Sequence, residues 1–150
     1  MTTLHQMLRR LCMNAAAVFV LLLATLPAYS VPVIVQGYYE EQKARSCSAV
    51  TSCAMSFSAV PAGKLLTIKH VSCKISAGGS AALSSALLSI NFRHTYLTPV
   101  LIVTSSTRTW YAGGEMLRLA EEGIAPSISV SFVSSTNYSM ACVLTGQITP

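Results

Sequence analysis

The chain contains no aspartate. EF-hand loops take calcium ligands from acidic side chains at alternating positions, so calcium sites of that kind are excluded. An aspartic dyad and a Ser-His-Asp triad are excluded too, leaving only a triad in which glutamate orients the base. Charge is scarce in general, at 10% of residues. The cations are scattered rather than gathered into a stripe, which argues against nucleic acid as a partner. No C-x-x-C, H-x-H or H-x-x-x-H spacing occurs, so neither a zinc site nor a dithiol redox motif is expected. No G-x-S-x-G nucleophile elbow occurs either.

What is present begins with a leader. Arg9 and Arg10 precede the apolar run Ala15 to Leu26, then Pro27 and the small residues Ala28 and Ser30 flanking Tyr29. This is the order of a secretory signal peptide, residues 1–30, with Val31 as the first mature residue. The run is too short to cross a bilayer, which takes about 20 residues, so no stable membrane span is expected after cleavage. Cleavage would leave eight cations and five glutamates, a net charge of +3 over residues 31–150.

Four cysteines follow the leader: Cys47, Cys53, Cys73 and Cys142. An even count behind a signal peptide reads as two disulfides formed in an oxidising compartment, periplasmic or extracellular. Pairing Cys47 with Cys53 and Cys73 with Cys142 is preferred, because the second bridge would join distant strands. The rival pairs Cys53 with Cys73 and Cys47 with Cys142.

From Cys53 onward the chain alternates like half-buried strands. In Cys53–Ser58, Met55 and Phe57 share a face. Pro61-Ala62-Gly63-Lys64 reads as a hairpin turn. Leu66 and Ile68 then fall out of phase with Val71, Cys73 and Ile75, which predicts a β-bulge at Lys69-His70. Ser76–Ala81 reads as a loop, and about Ala86 to Tyr96 as one strand. Pro99 to Ala112 is a β-branched, strand-rich run. Gly113 to Gly123 is read as a strand despite its helix formers. Ser127–Ser135 alternates cleanly, with Ile128, Val130 and Phe132 inward, and Tyr138–Thr149 puts Met140, Cys142, Leu144 and Ile148 on one face. The expected fold is all-β, an antiparallel β-sandwich or jelly roll of about seven to eight strands. It occupies residues 47–150, after a loosely attached N-terminal arm, residues 31–46.

The stretch "CAMSFSAVPAGKLLTIKHVSC" with the closing "CVLTGQI" resembles a group of small exported bacterial β-sandwich proteins. They share a VPAGK-type turn, an L-x-I-x-x-V-S strand, a Gly-x-x-Pro hairpin and a C-terminal Cys-x-hydrophobic-Thr/Ser-Gly strand. The likeness runs from about Cys53 to Ile148. It implies export and a sandwich fold. No functional residues are known for the group, so none carry over. The missing aromatic after the glycine of "TGQI" is a departure from the pattern.

The chemistry-bearing candidates are few. "PAGK" is not a phosphate loop, since a Walker A loop needs an earlier glycine and a Ser or Thr after the lysine; Leu65 stands there. Asn137 opens a formal glycosylation sequon. A hydrolase would need His70 or His94 within reach of both a serine and a glutamate. Arg93, His94 and Tyr96 in one segment, and Arg108, Trp110 and Tyr111 in another, combine hydrogen-bond donors with aromatic faces. Apolar sugar faces stack on such rings, although buried aromatics can equally belong to a core. The expectation is therefore a secreted or periplasmic binding module without catalytic machinery, cofactor or metal, taking a glycan or cell-surface ligand. The alternative is a structural or assembly subunit of the envelope or a surface fibre; a small hydrolase ranks third.

Overall fold

The structure is a computed structural model, and it describes residues 31–103 and 106–150. Residues 1–30, where the sequence predicts a leader and which include Cys12, lie outside the described residues. Among the described residues, eight strands run in chain order: β1 (Val33–Val35), β2 (Tyr38–Ser56), β3 (Leu65–Gly78), β4 (Leu83–Ile90), β5 (Arg93–Tyr96), β6 (Thr98–Val103), β7 (Thr107–Ala120) and β8 (Ser127–Thr149). All pairings are antiparallel, and the order is β1-β2-β8-β3-β7-β6, with β4 joined to β8 and β5 to β4. The sheet is continuous and does not close. Among the described residues no helix is long and apolar enough to cross a membrane.

One ribbon makes both layers. β2 and β8 pair along almost their whole lengths, from Tyr38 with Gln147 to Ser56 with Ser127. Their register slips between Cys47 and Ser52, where Val50 faces Thr136 but Ser52 faces Ser131. There the ribbon doubles over. The Tyr138 hydroxyl donates to the Val130 carbonyl at 3.1 Å, although eight extended residues would span about 27 Å. The Phe132 and Tyr138 rings lie 4.6 Å apart across the same bend. On β2 the Cys47–Cys53 disulfide crosses the corner. One layer thus holds β5, β4, the first part of β8 and the last part of β2. The other holds β1, the first part of β2, the rest of β8, then β3, β7 and β6.

Between the layers lies the core. Ile128, Val130 and Phe132 point inward from β8, as do Met140, Cys142 and Leu144 beyond the bend. Leu66, Ile68, Val71, Cys73 and Ile75 face inward from β3, with a register shift between Ile68 and His70 against both neighbours. The bulge expected from the phase slip is present. Cys73 sits opposite Cys142 on adjacent strands, and the two form the second disulfide.

Four expectations are corrected in detail. Residues 38–46 are not a loose arm: they are the first half of β2, with Tyr39 and Glu41 buried. The segments flanking Pro61–Lys64 do not pair with each other as a hairpin; β8 lies between β2 and β3, so Cys53 faces Val130 rather than Cys73. The turn itself is as expected, with Lys64 N–H donating to the Pro61 carbonyl and Gly63 at φ 67°. The stretch 86–96 is two strands, β4 and β5, and the runs 127–135 and 138–149 are one bent strand. A single residue parity cannot report where a strand turns, only which face a residue takes.

Candidate functional site

The β4–β5 hairpin turns at Asn91 and Phe92, between the paired residues Ile90 and Arg93. Both turn residues have positive φ, 46° and 63°. Positive φ at both positions defines a type I′ turn, which matches the twist of the flanking strands and normally takes Asn-Gly. A phenylalanine in that conformation is strained by about 1–2 kcal/mol. Its side chain is 94% exposed, so burial does not compensate. The hairpin holds a bare aromatic ring at its tip.

Behind the tip lies a cleft of about 530 Å³, between β5 and the end of β7. Arg93, His94 and Thr95 line one side and Leu117, Arg118 and Leu119 the other, with Glu121 and Ile124 at the end. Arg118 Nε donates to Thr95 Oγ1 at 2.8 Å, which ties the two walls together. His94 Nδ1 and Ser89 Oγ lie 2.7 Å apart. Tyr96, at the far end of β5, is exposed. The lining mixes two guanidiniums and an imidazole with one carboxylate and aliphatic walls. Guanidinium forks bind planar carboxylates in bidentate fashion, and the exposed Phe92 ring at the adjoining tip offers a stacking face.

The two segments picked from the sequence are not brought together. Arg93 and His94 line this cleft, whereas Tyr96 is exposed and does not line it. Arg108, Trp110 and Tyr111 lie near the other end of β7, about 30 Å from Arg118 along the extended strand. Arg108 Nη1 donates to the carbonyls of Ser80 (3.3 Å) and Ala81 (2.9 Å), clamping the loop before β4. Trp110 is 5% exposed and meets the Phe132 ring edge-on at 5.5 Å; it is core and cannot present a face to a ligand. Tyr111 is exposed beside Lys74 and Val100. Sequence reasoning missed Arg118 and Glu121. Their relation to β5 is tertiary, and only the alternation of Met116 and Arg118 against Leu117 and Leu119 hinted at a strand there.

The groups of a hydrolytic site are divided between the two histidines. His94 meets a serine. His70, at the β3 bulge, meets a glutamate, Glu115, at 3.4 Å, in a second cleft of about 410 Å³ with Tyr38, Lys69, Thr145 and Gln147. Among the described residues no carboxylate pairs with His94, and no three His, Cys or Glu side chains converge as metal ligands. Asn137 of the sequon is exposed, and its Oδ1 accepts from the Ala49 N–H at 2.7 Å.

One buried polar group went unnoticed in the sequence. Glu41 is 1% exposed, and its carboxylate accepts from the Tyr39 hydroxyl at 2.6 Å, the Ser58 N–H and hydroxyl at 2.8 Å each, and Lys43 Nζ at 3.1 Å. Burial alone would raise its pKa, but the donors from Tyr39, Ser58 and Lys43 outweigh it and hold the carboxyl below its usual range. Burial and the same hydrogen bond push the Tyr39 phenol upward.

Fold and clefts define an all-β antiparallel protein with two disulfides and a cationic cleft at one end of its layers. No protein-family model matches the chain, and neither a curated protein nor a solved structure matches it.

Proposed function

We propose that the protein is an exported binding module that holds an acidic glycan in the cleft between β5 and β7. The observation that carries this reading is the strained Asn91-Phe92 tip, which keeps an exposed ring beside a cleft walled by Arg93 and Arg118. Strain retained without burial points to a role outside the fold. The mixture suits a sugar acid: the Phe92 ring for an apolar sugar face, guanidiniums for the carboxylate, and His94 and Glu121 for hydroxyls. The cleft's volume lies within the usual range for small-ligand sites. Export is supported by the leader sequence, by the two disulfides and by the resemblance to exported sandwich proteins.

The test is a titration with oligogalacturonate, alginate and hyaluronan fragments, with neutral dextran as control. At least one acidic glycan should bind and dextran should not. Arg93→Ala and Arg118→Ala should each weaken binding about tenfold, and rising salt should weaken it further. Absence of binding to every uronic-acid polymer, or binding unchanged in both variants, would overturn the reading.

A further inference from the structure

Among the described residues, four strand edges of the doubled sheet face solvent, and two of them are guarded. The outer edge of the last part of β2 is capped from within the same strand. Arg45 donates to the Ala54 carbonyl, Lys43 to the Ser56 carbonyl at 3.0 Å, and the Glu41 carboxylate accepts the Ser58 N–H. The outer edge of β5 carries Arg93 and His94. Charges at an edge are a usual defence against pairing with other chains.

The other two edges, β1 and β6, carry no charged residue. Val33, Ile34 and Val35 are all exposed, as are Val100, Leu101 and Ile102. Successive residues of a strand point to opposite faces, so neither face of either strand is covered. These bare strands end the six-strand path β1-β2-β8-β3-β7-β6 on opposite sides. Every pairing along that path is antiparallel. Six strands is an even number, so β1 and β6 run in opposite directions. A second copy placed in the same orientation beside β6 therefore presents its β1 antiparallel to it.

We propose that copies of this chain assemble head to tail, β6 of one adding the β1 edge of the next as a further antiparallel strand. The occupant of each edge is the other edge. Both are uncharged and rich in β-branched residues, and the three residues of β1 fit within the six of β6. One joint covers both bare strands, whereas pairing β6 with β6 would leave β1 uncovered. The joint is heterologous, so it generates a chain of copies rather than a closed dimer. The cleft between β5 and β7 plays no part in the joint.

Sedimentation velocity over a wide concentration range tests this. The wild-type chain should form dimers and longer species as concentration rises. Leu101→Lys blocks β6 and Ile34→Lys blocks β1, and each variant alone should stay at the monomer value. Their equimolar mixture should give a dimer and nothing longer, because only one complementary pair of edges is left. A wild-type monomer at all concentrations would overturn the proposal. So would assembly of either variant alone to the wild-type extent, which would mean β6 pairs with β6 or β1 with β1. Far-UV spectra and thermal midpoints check that each variant folds; Ile102→Lys replaces Leu101→Lys if it does not.

Discussion

At the scale of single residues, the fold depends on groups whose partners lie far away in sequence. Glu41 binds Ser58 across the doubled β2, and its lowered pKa makes it a source of acid sensitivity. A group whose folded pKa lies below its unfolded value stabilises above the unfolded value, here 4.5, and loses that contribution as pH falls through the folded one. Thermal melts should therefore show the midpoint dropping below about pH 4.5, and Glu41→Gln should flatten that drop. Glu41→Ala, which strands Tyr39, Ser58 and Lys43, should cost about 3 kcal/mol in urea unfolding. Gly146 is a second such residue. A Cβ there would sit 2.3 Å from the Thr67 carbonyl oxygen, as one on Gly113 would sit 2.2 Å from that of Val71. The two glycines flank β3 on either side of its bulge, where the backbones come too close for a side chain. Gly146→Ala should lower stability by about 2–3 kcal/mol, measured by the same unfolding.

At the scale of elements, the β4–β5 hairpin carries the sharpest trade-off. Its turn type calls for glycine at the second position, and the chain places phenylalanine there. Phe92→Gly should therefore raise stability by about 1 kcal/mol, or about 4 °C in a thermal melt, while weakening acidic-glycan binding. A gain in stability with no change in binding would remove Phe92 from the site. The hairpin also shows where sequence reading stops. Alternation through Leu88, Ile90 and Phe92 looks like one strand, and a turn without glycine or proline leaves no break in the pattern. The β3 bulge was legible for the opposite reason: its extra residue shifts the phase of the buried set, and that shift is written in the residues themselves. Trp110 and Tyr111 show the same limit. Adjacent strand residues take opposite faces, and which of the two faces inward depends on what covers β7.

At the scale of the whole molecule, one bent ribbon joins the layers; the Cys47–Cys53 bridge spans its corner and the Cys73–Cys142 bridge pins β3 to β8 within one layer. The Cys73–Cys142 bridge closes 69 residues and the Cys47–Cys53 bridge closes 6. On the chain-entropy model they contribute about 4.4 and 2.2 kcal/mol. Replacing Cys73 and Cys142 together by alanine should thus cost about 2 kcal/mol more than replacing Cys47 and Cys53, read from denaturant midpoints of the two double variants.

Composition, period-two alternation and cysteine count by themselves determined the class of fold, the inward faces of the end of β2 and of β3 and β8, the position of the bulge and the number of bridges. Those properties are local, set by residues within a few positions of each other. Only the tertiary structure decided that β8 lies between β2 and β3, that the β2–β8 ribbon doubles over, and that Arg118 meets Thr95 while Trp110 sinks into the core. An alternating strand records which face is apolar but not which strand lies beside it. Partner choice is settled by long-range packing, and the cleft and the two bare edges exist only once that packing is in place.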